Sequence, residues 1–122
     1  MGAWLTGLGV AAGAFGAHAL GGRLPPDLLA TFETGARYHV TQSMGILLLA
    51  LAGARWHSPA LRAAGWLVAL GTVVFAGSLY LLVLSGVRSL GAITPIGGVL
   101  LIAGWLAAGF VVLRNVHTRW AR

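Results

Sequence analysis

The sequence predicts an all-α integral membrane protein: one domain over residues 1–122, built as a four-helix transmembrane bundle. Three observations predict it. The chain is 58% hydrophobic and only 8% charged, where a soluble domain carries about 25% charged residues. Water could not solvate a surface so poor in charge, and the mean hydropathy is +0.88. Four apolar stretches recur at about 2–20, 38–54, 61–84 and 95–113, each near the roughly 20 residues that cross a hydrocarbon core of about 30 Å. The alternation of a barrel strand is missing, and a lone segment in lipid satisfies its own backbone only as a helix.

Each element has its signals. The first stretch ends in Ala17-His18-Ala19, which resembles a signal-peptidase site. No Lys or Arg precedes it, however, and it is longer than a signal-peptide core, so a retained helix is expected. Pro25-Pro26-Asp27 breaks the chain after it. Residues 27–34 then place Leu28, Leu29 and Phe32 at helical spacing and read as a short amphipathic turn on the membrane surface, between helices 1 and 2. Ser58-Pro59 reads as N-cap and first residue of the third helix, and Thr94-Pro95 does the same for the fourth. Gly86 suits the C′ position that closes the third.

Nineteen glycines punctuate these spans. In lipid, small residues let backbones approach closely, so van der Waals contact can hold a bundle. Gly9, Gly13 and Gly16 in the first helix, Gly77 in the third, and Gly97 and Gly98 in the fourth are the candidate packing positions. They serve contacts within one subunit or between subunits.

The charge balance is +6, from eight arginines and no lysine against two acids. The arginines are scattered in ones and twos between apolar spans and form no basic face, so a nucleic-acid partner is not expected. With four spans, Arg55, Arg62, Arg114, Arg119 and Arg122 share a side with both termini, against Arg23, Arg37 and Arg88 on the other. The excess places both termini in the cytoplasm. Trp4, Trp56 and Trp120 then fall at the cytoplasmic interface. The absence of cysteine excludes disulfides, Fe–S clusters and thiolate zinc sites.

The same threading gathers polar residues at the outer end: His18, Glu33, Arg37, Tyr38, His39, Gln42, Ser78, Tyr80 and Thr94. Glu33 and Arg37 stand at i,i+4, where they can pair. His39 and Gln42 are i,i+3, Tyr38 and Gln42 i,i+4, so one group faces the bundle and the other the headgroups or a partner. The plain reading is that these side chains hydrogen-bond between helices, since an unpaired polar group in hydrocarbon costs several kcal/mol. Ionisable residues in a membrane also mark sites and pathways. Two histidines without the spacing of a known motif make no metal or haem site, and no cofactor is expected. No nucleophile stands beside a base, which argues against an enzyme.

Four blocks, "GAFGAHAL" (13–20), "TGARYHVTQSMGILLLAL" (34–51), "FAGSLYLLVLSG" (75–86) and "ITPIGGVLLIAGW" (93–105), together resemble the YgdD-type family of small bacterial inner-membrane proteins. They occur in the family's order and cover most of the chain. The resemblance implies four transmembrane helices, a multi-pass protein of the inner (cytoplasmic) membrane, and no assigned activity. His18, Tyr38, Ser78, Tyr80, Thr94, Pro95 and the glycines match. The family's histidine three residues after the Tyr-His position is Gln42 here, so a role for that histidine in relatives is lost or falls to His18 and His39. The function expected is binding through the outer-leaflet cluster and the glycine faces, to membrane lipids, to a second copy or to a larger membrane complex. A proton or small-solute transporter and a membrane enzyme acting on a lipid or periplasmic substrate are the alternatives.

Overall fold

The computed structural model describes residues 1–120. Arg122 and the side chains of Arg119 and Trp120, named above, lie outside the described residues. Four helices run in order: α1 (Gly2–Phe15), extended by a π-helical turn (Gly16–Leu20), then α2 (Pro26–Arg55), α3 (Pro59–Ser85) and α4 (Thr94–Trp120). A 3-10 turn, Arg88–Ala92, joins the last two. Three segments are long and apolar enough to cross a membrane: Gly2–Leu20, Pro59–Ser85 and Arg88–Thr118. The second helix is not one of them, because Tyr38, His39, Thr41, Gln42 and Ser43 occupy its middle.

The caps of α3 form as their chemistry dictates. The Ser58 hydroxyl accepts the Leu61 N–H at 3.3 Å, Pro59 opens the helix, and Gly86 closes it at φ 73°. Thr94 behaves differently from the N-cap expected. Its hydroxyl pairs across to Ser78 at 2.7 Å, and the Ile93 carbonyl takes the first N–H groups of α4. The amphipathic surface turn expected at 27–34 is also corrected. Those residues are the first turns of one continuous 30-residue α2. Pro26 lies in the first turn, where its missing N–H costs nothing. Phe32 is buried, so the segment is held by packing on its neighbours.

Close approaches at glycine set the register. A Cβ on Gly2 would strike Leu47, on Gly9 it would strike His39 and Val40, and on Gly16 it would strike Phe32. The α1 seam is therefore a heptad, Gly2, Gly9 and Gly16, the spacing that keeps one stripe facing a neighbour. Gly13, expected in that seam, is only in ordinary contact with Ala36 at 4.0 Å. Gly97 abuts the Phe75 backbone, and Gly104 abuts Val68, while Gly71 abuts Leu101. A Cβ on Gly98 would reach only the Phe75 ring, at 4.0 Å, and one on Gly77 would meet nothing within 4 Å, so Gly77 gives no close helix approach on that face.

Neighbours in sequence are neighbours in space: α1 lies on α2, α2 on α3 and α3 on α4. The buried core sits between the last three, around Ile46, Leu49, Leu61, Val68 and Leu101. From α1 only Leu5 packs against it. One end of the molecule, the upper end, holds the loops at 21–25 and 86–93. The lower end holds the 56–58 turn.

Candidate functional site

The polar residues of α2 point three ways. His39 faces α3, with Nδ1 hydrogen-bonded to the Tyr80 hydroxyl at 3.2 Å. Gln42 faces α4, its Oε1 accepting the Trp105 indole N–H at 2.7 Å. Ser43 is fully buried between them, and its hydroxyl has no partner among the described residues. Tyr38 stacks on Phe75 of α3 with ring centroids 4.5 Å apart.

Helical side-chain direction explains the His39–Tyr80 pair. A side chain leans toward its own helix N-terminus. In antiparallel neighbours such as α2 and α3 the two therefore lean toward each other. Tyr80 packs against Gly35 on α2 yet reaches down a turn to His39. Glycine makes room for each large partner: a Cβ at Gly35 would crowd the Tyr80 ring at 3.1 Å, and one at Gly45 would collide with the Trp105 ring. Phe32 covers the Tyr80 ring from above at 4.9 Å. Ser78 donates to the Phe75 carbonyl at 2.9 Å or pairs with Thr94, sharing its hydroxyl between them.

The other expected members lie elsewhere. His18 is exposed. His39 stands opposite Gly9, and His18 is nine residues further along α1, about 13 Å at 1.5 Å per residue. A second helix that begins near Tyr38 would put the two histidines at one level; α2 instead begins at Pro26, thirteen residues before His39, which carries His39 well below the upper end. Glu33 and Arg37 are exposed and do not pair with each other. The salt bridge found among the described residues joins Arg88 to Asp27 at 3.8 Å. Both Glu33 and Arg37 line a shallow groove with Gly9, Gly13 and Val40, on the α1–α2 side away from Tyr80. Trp4 is 82% exposed and sits near the level of Gly45, since Gly2 packs on Leu47. That is about 15 Å above Arg55, so Trp4 and Trp56 do not share one level.

Sequence reasoning missed Trp105 and Ser43 as parts of the site. A deep indole N–H usually finds a partner, and the polar Gln42 is an acceptor for Trp105 that the sequence offers. No three His, Asp or Glu side chains among the described residues come close enough to hold a metal ion.

Long apolar helices whose polar groups are tied across helix interfaces define a helical membrane protein. The chain belongs to the family described as a protein of unknown function, DUF423, whose model matches residues 12–98. It is similar to the UPF0382 membrane protein SH2409 of Staphylococcus haemolyticus, 44% identical over 87% of this chain and 86% of the relative. It is 43% identical to the UPF0382 membrane protein YwdK of Bacillus subtilis, over 81% of each. To the UPF0382 inner membrane protein YgdD of Escherichia coli K12 it is 43% identical over 79% of this chain and 73% of the relative. The resemblance to YgdD-type proteins therefore stands. No solved structure matches.

Proposed function

We propose that the protein crosses a bacterial inner membrane four times, with both termini in the cytoplasm, and acts by binding lipid, a second copy or a larger membrane complex. The length of the bundle supports four crossings. Register puts Asp27 beside the start of the upper loop and Arg55 beside Pro59, 28 residues apart on α2. That is about 42 Å, matching the roughly 40–45 Å of a bilayer with its headgroup layers. α2 then crosses despite its polar middle, because His39 and Gln42 spend their polarity on Tyr80 and Trp105. On this placement His39, Gln42 and Ser43 lie close to the bilayer mid-plane, deeper than the outer third.

The observation that carries the binding reading is that these polar groups are joined in pairs between helices while broad apolar faces stay uncovered. Leu48, Leu106, Phe110 and Leu113 are each more than 60% exposed. Native mass spectrometry and crosslinking from membranes test it. The expected result is co-purifying lipid or a discrete higher-mass species. A bare monomer that crosslinks to nothing and retains no lipid would end the proposal.

A second reading, a proton or small-solute path, is favoured by the unpartnered Ser43 hydroxyl one turn from His39. Flux into liposomes that changes with pH and drops in His39→Ala would support it. Flux unaffected by either would exclude it.

A further inference from the structure

We infer that the lower end carries a binding site for one anionic phospholipid, with its headgroup on Arg62 and His57 and one acyl chain in the cleft between α2 and α3. This goes beyond the upper polar cluster, and it rests on the membrane reading above. The cleft has a volume of about 460 Å³, within the roughly 300–1,000 Å³ of small-molecule sites. Met1 at the start of α1, with Leu47, Ala50, Leu61 and Trp66, gives it apolar walls, and Arg62 and His57 also line it.

Three independent features converge there. The first is charge. The chain has two acids, Asp27 and Glu33, and both lie on the upper half of α2. Arg55, Arg62 and Arg114, at the lower end, have no side-chain carboxylate to meet them among the described residues. Their counterions come from outside the chain, and basic pockets between transmembrane helices suit anionic headgroups.

The second is how Arg62 is laid. A Cβ at Gly53 would come within 3.2 Å of Arg62 Cγ. The glycine thus lets the arginine stem lie close on α2, beside the cleft that Arg62 lines. A guanidinium offers a planar fork of donors matched to a phosphate.

The third is the backbone at His57. The Ser58 N–H bonds to the Gly53 carbonyl at 3.0 Å and the His57 N–H to the Ala54 carbonyl at 3.4 Å. This is the Schellman closure of a helix, with His57 at the left-handed C′ position, φ 49°. Glycine normally fills that position. A histidine held there adds a donor side chain to the cleft lining, and backbone strain of this kind clusters at ligand sites.

The probe is the full chain reconstituted in vesicles of equal phosphatidylglycerol and phosphatidylcholine, released into native mass spectrometry. One phosphatidylglycerol per chain is expected to survive in at least tenfold excess over phosphatidylcholine. Arg62→Gln combined with His57→Gln is expected to bring that ratio near one. Ala50→Leu, at an exposed position that tolerates a larger side chain, is expected to reduce retention of both lipids by filling the cleft. Equal retention of the two lipids by the unaltered chain would overturn the proposal. So would a preference that survives the double substitution, or one lost as fully in Arg55→Gln with Arg114→Gln, which would mean diffuse charge. A chain that fails to enter the vesicles would instead overturn the membrane reading.

Discussion

His39 and Tyr80 show how a single pair decides the character of this interior. The imidazole and the phenol meet at 3.2 Å, half-buried, under the Phe32 ring. Tyr80→Phe keeps the ring on Phe32 and deletes the hydroxyl. Unfolding in detergent is expected to lose about 0.5–1.5 kcal/mol, near the low end because interhelical hydrogen bonds in membranes average about 0.6 kcal/mol. Unchanged stability would show that the pair contributes nothing. Ser43 makes the opposite case. Its hydroxyl is buried without a partner, so Ser43→Ala removes a desolvated group and is expected to hold or raise stability, by up to about 1 kcal/mol. A clear loss would reveal that something, such as a buried water, pairs with it.

Between elements, the contacts are set by which glycines have a backbone opposite them. Gly97 faces the main chain at Phe75, which cannot swing aside, whereas Gly77 faces open space. Gly97→Ala is expected to lose about 1–3 kcal/mol through overpacking. Gly77→Ala is expected to be neutral or to gain up to about 1 kcal/mol from helix propensity. Equal effects would mean the α3–α4 seam is not packed through Gly97. Both glycines are visible in the sequence as small residues in apolar helices, and nothing local distinguishes them. The seven-residue spacing of Gly2, Gly9 and Gly16 is legible in the sequence, but so is the four-residue spacing of Gly9 and Gly13, and only the folded chain shows that Gly13 has the looser contact.

For the molecule as a whole, the arginine excess at the lower end and the length of α2 support one testable topology. The cysteine-free chain makes the test clean. Ser89→Cys and Ala60→Cys each place a thiol at an exposed position, at opposite ends. In intact cells a membrane-impermeant thiol reagent is expected to label Ser89→Cys and to reach Ala60→Cys only after lysis. Labelling of both from outside, or of both only after lysis, would overturn the four-crossing arrangement.

Much of this organisation was written in the sequence itself. Composition and apolar length specified helices, because lipid leaves the backbone no other way to satisfy its hydrogen bonds. Ser58-Pro59 and Gly86 marked the ends of α3, because caps are local chemistry. Tyr38, His39, Gln42, Ser78, Tyr80 and Thr94 were recognisable as polar groups needing partners. Which partner each one took was decided only by tertiary packing. The uninterrupted run of α2 from Pro26 lowered His39 away from His18, and the glycine seams then set the register that brought Tyr80 to His39 and Trp105 to Gln42. The physical reason is one of range. Caps and hydropathy act over a few residues, but a contact across helices depends on summed offsets along two helices, where each extra residue moves a side chain about 1.5 Å and turns it by 100°.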